Sequence, residues 1–264
     1  MNKPVIFTSA ALTAVVALGV WYFLRDSGGP PPGPVADVTA SAVPSAEPAI
    51  AHPVPEEDGR KAPAAPLPLL NDSDPALRDG LADLVGPAAV KSYLEPENIV
   101  RRLVVTVDNL ARQKLPAQRR PVRALDVPFH AEGDELHATL DPKNYERYGP
   151  LVAVVKNLDT QRLVGLYVHF YPLFQNAYQD LGYPTGYFND RLIEVIDLLL
   201  ATPQVAEPVD LVRPNVMYEF ADRSLEERPS GQKLMIRMGP ANAAVVESKL
   251  AELRAALTAA PLKK

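Results

Sequence analysis

The chain has 264 residues, 47 % of them hydrophobic, with 27 Lys and Arg against 32 Asp and Glu and a formal net charge of −5. That balance excludes a general nucleic-acid binder, which needs a strongly basic face. The lack of any cysteine excludes a disulfide framework, a Cys-ligated zinc site, a thiol nucleophile and a lipid-anchored N-terminal Cys, but it leaves the compartment open, since a core of this size needs no covalent staple.

Residues 5–24, from Val5 to Leu24, carry no charge and end in Trp21-Tyr22-Phe23, with Arg25-Asp26 directly after. About twenty apolar residues suffice to cross a bilayer core as a helix, and aromatic rings followed by Arg suit the headgroup level. A cleavable signal peptide, with Ala17-Leu18-Gly19 as its site, is the competing reading; the apolar run continues past that site through bulky residues, as an uncleaved anchor does. Lys3 and the free amine precede the span, so the positive-inside rule favours a cytoplasmic N-terminus. The expectation is a single-pass anchor with the rest of the chain outside the cytoplasm, which in a Gram-negative cell means the inner membrane and the periplasm.

Residues 25–68 read as a disordered Pro/Ala-rich linker. Eleven prolines stand between Asp26 and Pro68, and large apolar residues are nearly absent, too few to offset the entropy of ordering. Four Lys/Arg and six Asp/Glu precede residue 69, leaving 23 basic against 26 acidic residues for the remainder. Residues 69–264 suit one domain with its own core.

Within that domain the expected class is mainly α, a helical globular domain with a small β-hairpin. Asp74-Pro75 reads as a cap and first turn, with apolar residues at helical spacing up to Gly86-Pro87. A second helix is expected from Glu95-Pro96 to Leu115, with Ile99, Val100, Leu103, Val104, Val107 and Leu110 on its buried face. Gln118 to Leu140 breaks the period; the Gly133-Asp134 turn suggests a short hairpin. Asp141-Pro142 starts a short helix through Tyr148, and Leu151–Leu158 continues as helix. Asp159 or Thr160 caps a longer one containing Pro172, which should kink it, with Gly182 at its C-cap. Asn189 is expected to cap a nearly all-apolar helix, Asp190 to Ala201, suited to the centre of the fold. Val209 to Phe220 reads as loop or short strand. Helices over Gly231–Met238 and Ala241–Leu257 close the chain.

The segment Tyr167–Phe188 holds eight of the seventeen Phe and Tyr residues. Tyr suits places where one edge is packed and the other meets water or a ligand, and loops on a rigid scaffold carry binding groups. Candidate binding residues are therefore Tyr183, Tyr187, Phe188, Asn189, Asp190 and Arg191, with His169 beside the aromatic stripe. The competing reading has these aromatics only knitting two helices together. Asp190, Glu194 and Asp197 share one helix face and offer acid–base chemistry as readily as simple ion pairing. The basic run Arg101, Arg102, Arg112, Lys114, Arg119, Arg120 and Arg123, against the single acid Asp108, suits an anionic partner or a solvated face. His130 and His137 match no helical metal motif, and no G-x-S-x-G, S-x-x-K or Walker-type loop is present; no catalytic residue, metal site or cofactor is expected.

The ordered motifs Asn71-Asp72-Ser73-Asp74-Pro75, Arg101-Arg102-Leu103-Val104-Val105-Thr106-Val107-Asp108-Asn109-Leu110, Asp141-Pro142 with Asn144-Tyr145 and Arg147-Tyr148, Tyr171-Pro172-Leu173-Phe174-Gln175, Leu181-Gly182-Tyr183-Pro184, Gly186-Tyr187-Phe188-Asn189-Asp190-Arg191-Leu192, Gly231-Gln232-Lys233 and Arg237-Met238-Gly239-Pro240 together resemble the bacterial domain-of-unknown-function family 3014 (DUF3014). The resemblance implies a proteobacterial origin and a membrane-tethered envelope protein, and it brings no activity, substrate or catalytic residue. The leading expectation is a non-enzymatic, membrane-anchored envelope protein whose domain binds a protein or peptidoglycan partner through the 183–191 loop. The rivals are an envelope hydrolase using Asp190, Glu194 and Asp197, and a structural spacer without a ligand.

The anchor has a direct test. A reporter active only outside the cytoplasm, fused after Lys264, is expected to be active, and carbonate extraction is expected to leave the protein in the membrane. Release of a soluble form beginning near Val20 would instead show signal cleavage.

Overall fold

A computed structural model describes residues 49–55, 66–114, 119–123, 127–133, 137–215 and 217–259. The 5–24 span and most of the 25–68 linker lie outside the described residues. Among those described, no helix is long and apolar enough to cross a membrane.

The domain is mainly helical with a small antiparallel sheet. The helices are α1 (Asp74–Val85), α2 (Pro87–Tyr93), α3 (Ile99–Leu110), α4 (Lys143–Lys156), α5 (Thr160–Asp180), α6 (Phe188–Leu200), α7 (Arg223–Glu226), α8 (Ser230–Arg237) and α9 (Pro240–Thr258). The strands are β1 (Ala131–Gly133), β2 (Ala138–Leu140), β3 (Asp210–Val212) and β4 (Glu219–Phe220), in the order β1-β2-β3-β4. The expected hairpin is present, with Ala131 opposite Leu140. The 209–220 segment extends it: Leu211 pairs with Ala138 on one side and Phe220 on the other. The sheet has its own small core of Ala138, Leu140, Val209, Leu211, Phe220, Leu225 and Ile236, separate from the main helical core.

Several boundaries differ from the sequence reading for local reasons. Gly86-Pro87 both ends α1 and begins α2, because proline is well placed at a first helical position; the sequence reading had no helix there. The second expected helix starts later, at Ile99. Asp74 lies in the first turn of α1, and its carboxylate accepts from the backbone N–H of Asn98 (2.6 Å) and Ile99 (2.8 Å), so it caps α3. Residues 143–156 form one helix through Pro150. Asp159 caps α5 as expected, accepting from the N–H of Gln161 and Arg162.

The wholly buried helix is α8, and α6 is only partly covered, with Glu194 and Asp197 exposed. Every residue from Ser230 to Gly239 is buried, including Gln232, Lys233 and Arg237. The polar groups have assigned work. The Ser230 N–H donates to the Arg112 carbonyl (2.7 Å), and its hydroxyl donates to that of Asn109 (3.0 Å), at the end of α3. Gln232 donates to the Leu198 and Ala201 carbonyls at the end of α6. On α9, Lys249 donates to the Leu158 carbonyl (2.9 Å) just beyond α4. Carbonyls of a helix's last turn have no partner within the helix, and these side chains supply one. Gly231 allows the approach: a Cβ there would stand 2.6 Å from a Leu199 methyl and 3.1 Å from the Leu110 carbonyl oxygen.

Lys233 is buried against Glu226, with Nζ 2.6 Å from the carboxylate and 2.8 Å from the Glu226 carbonyl. Burial pulls its ammonium pKa below the ordinary lysine range, and Glu226 opposes that shift. Removing one partner of such a pair typically costs about 3–5 kcal/mol. Glu226→Ala is therefore expected to lower the free energy of unfolding in urea by that order, and Lys233→Met added to it should recover the part due to the stranded ammonium, while the Phe220 N–H that donates to the same carboxylate (3.0 Å) stays without it. An unchanged midpoint for Glu226→Ala would show that Lys233 is compensated elsewhere.

Candidate functional site

The 181–187 loop turns α5 back into α6. Gly182 follows α5 with φ 116°, a conformation L residues rarely adopt. Gln175 on α5 holds the loop's far side: its amide donates to the Gly186 carbonyl (2.7 Å), and its carbonyl accepts from the Phe188 N–H and the Tyr171 hydroxyl (both 2.9 Å). Phe188 is buried, stacked over Phe174 at 5.9 Å between centroids. It belongs to the core.

Beneath the loop lies Asp108, a buried acid on α3. Its carboxylate accepts from Arg112 (2.8 Å), from Arg191 and from the Tyr183 hydroxyl (3.2 Å), and Arg191 also donates to the Asp108 carbonyl (2.8 Å). Arg191 reaches Glu194 as well, at 2.9 Å. Tyr183 stacks on Tyr178 with centroids 4.5 Å apart. Burial and the surrounding charges hold the Tyr178 phenol at about 12. Tyr183 and Arg191 thus face inward, tying the loop and α6 to α3.

Tyr187, Asn189 and Asp190 face a different partner. Residues 51–54, which sequence reading placed in the linker, lie against them. The Asp190 carboxylate accepts from the N–H of Ala51 (3.1 Å) and of His52 (2.6 Å). The Asn189 amide donates to the His52 carbonyl (2.9 Å), and the Tyr187 hydroxyl accepts from the Val54 N–H (3.1 Å). Pro53 has no N–H to satisfy. Every main-chain N–H from Ala51 to Val54 is therefore bonded.

Asn189 does not cap α6, whose N-cap position is Tyr187. It is fully buried in the first turn, and its carbonyl accepts from the Tyr167 hydroxyl (3.0 Å), which leaves its amide aimed at His52. Behind Tyr187 stands Tyr171, ring centroids 5.6 Å apart. Burial and the neighbouring Tyr187 hydroxyl hold the Tyr171 phenol well above its ordinary range, so it stays a neutral donor.

The structure thus brings Tyr183, Tyr187, Phe188, Asn189, Asp190 and Arg191 together and divides them into an inner and an outer set. His169 is half-buried, edge-on to Phe170 at 4.8 Å. It lies two residues from both Tyr167 and Tyr171, hence on the other side of the helix. The three carboxylates considered for acid–base chemistry each have their own partner: Asp190 the 51–52 main chain, Glu194 Arg191, and Asp197 Arg254. The Arg254 hydrogen bond lowers the Asp197 pKa, the opposite of what a general acid needs. In the basic run, Arg101 pairs with Asp180, Arg102 donates to the Glu97 and Arg120 carbonyls, and Arg112 serves Asp108. Among the described residues no group of three or more His, Asp or Glu is placed to hold a metal. Sequence reasoning missed Asp108 as a site residue. The signal was present: a lone acid inside the valine stripe of α3.

A family described as a protein of unknown function, DUF3014, matches residues 99–254. The chain belongs to DUF3014. The match takes in Asp108, the 181–187 loop and all of α6, whereas residues 49–55 lie before it. No curated protein and no solved structure matches the chain.

Asp108→Ala would leave Arg191, a largely buried cation, without its buried counter-charge and with only the exposed Glu194, and the expected cost is about 3–5 kcal/mol in urea unfolding. A loss below about 1 kcal/mol, the range of exposed pairs, would show that Glu194 alone suffices for Arg191.

Proposed function

We propose that this DUF3014 protein is a non-enzymatic, membrane-anchored envelope protein whose helical domain binds a partner polypeptide in the periplasm. The anchor and compartment rest on the uncharged Val5–Leu24 span and its aromatic–Arg end. The binding face is the outer set of the site: Tyr187, Asn189 and Asp190.

One observation carries the reading. That face already holds polypeptide, bonding the main chain of three residues, Ala51, His52 and Val54, within a run of four. A surface that only knits helices together has no need of outward-facing groups that satisfy main-chain N–H and C=O. A protein partner fits this better than a peptidoglycan glycan, because the contacts are those of peptide groups. The carboxylates follow the same division. They hold main chain or arginine.

Thr185 is exposed at the tip of the loop and suits a photo-crosslinking residue. Placed there in the full-length protein in its own membrane, it is expected to give discrete higher-mass adducts that disappear in Asp190→Ala. The same residue at Lys143, exposed on α4, should not give them. Identical adducts from both positions, or none from Thr185, would contradict a partner-binding face.

A further inference from the structure

We infer that the face formed by Tyr187, Asn189 and Asp190 recognises a bent, proline-containing peptide segment of another protein through its main chain, and that residues 51–54 occupy it as a resident stand-in. This rests on the partner-binding reading above and names the chemistry of the partner.

The geometry of the contacts sets that chemistry. In an extended strand successive N–H groups point to opposite sides. Here two successive ones, from Ala51 and His52, converge on one carboxylate, and the backbone bends at both residues. Paired N–H groups of that kind form an anion-seeking concavity. Proline at the next position keeps His52 out of the helical region and brings no N–H of its own to satisfy. The carbonyl of His52 then meets the Asn189 amide, and the next N–H, from Val54, meets the Tyr187 hydroxyl. The recognised pattern is two residues with free N–H groups, then proline, then a residue with a free N–H.

Side chains add little selectivity. Ala51 and Pro53 are exposed, Ile50 is 54 % exposed, and His52, Val54 and Pro55 are half-buried. No strap side chain is fully buried, so an equivalent segment can replace it. The strap's advantage is attachment to the same chain: a short covalent connection is equivalent to roughly millimolar ligand. A partner must exceed that, or act where the strap has been drawn away.

The test uses the full chain and a fluorescent peptide with the sequence of residues 48–56. Ala51→Pro with Val54→Pro in the chain deletes two of the three strap N–H donors without touching the face. That variant is expected to bind the peptide at least about tenfold more tightly than the unaltered chain, whose strap competes. Adding Asp190→Ala should abolish binding, and a peptide carrying the same two prolines should not bind. Failure of the strap variant to bind, while Thr185 crosslinks still capture a partner, would overturn main-chain recognition and leave the partner-binding face standing. Equal binding of the proline-substituted peptide would also overturn it. A concentration-dependent dimer of the unaltered chain, lost in the strap variant, would make the occupant a second copy's strap and overturn a separate partner.

Discussion

Burying the carboxylate of Asp108 is the constraint on which the site depends. An ionised carboxylate leaves water only if charge and hydrogen bonds replace it. Three groups from two helices and one loop do so: Arg112 from the end of α3, Tyr183 from the 181–187 loop and Arg191 from the first turns of α6. The carboxylate thereby fixes where α6 begins relative to α3. Tyr187, Asn189 and Asp190 sit one to four residues before Arg191, so they inherit that position. Gln175 fixes the same turn from the α5 side.

The far end of α6 is held by a different device with the same logic. Gln232, on the buried α8, donates to the Leu198 and Ala201 carbonyls, and Ser230 closes the end of α3. Both ends of α6 are therefore tied to the C-terminal end of α3, the first by the ion cluster and the second through α8. A recognition face needs this kind of support, since groups that read a main chain must hold hydrogen-bond distances that a loosely packed loop does not keep.

Much of the fold was legible because local chemistry and tertiary packing agree at its helix ends. Gly86-Pro87, Asp159 and Gly182 mark boundaries that the structure keeps, and the hairpin expected near Gly133 is present, with Gly133 the last residue of β1 and opposite Ala138. Legibility fails where the partner of a group is distant in sequence. Asp74 reads as the cap of its own helix and instead caps α3. At the start of α8 nothing local reveals that Ser230 and Gln232 meet the carbonyls at the ends of α3 and α6, or that Lys233 meets Glu226. Residues 49–55 read as linker because apolar content is what composition measures. What holds them is main-chain hydrogen bonding, to which composition is blind. Of the candidate site, the residues were legible; their division into Tyr183 and Arg191 facing inward and Tyr187, Asn189 and Asp190 facing the strap was not, since it follows from Asp108 across 75 residues for Tyr183 and 83 for Arg191.

Hydrogen exchange at the amides of Ala51, His52 and Val54 in the intact chain tests the central claim most directly. If Asp190 and Tyr187 hold this segment, all three amides are protected, and Asp190→Ala releases them together while the core amides of α6 keep their protection. Exchange of the three at unfolded-chain rates in the unaltered protein would contradict the account, since the face would then hold no main chain.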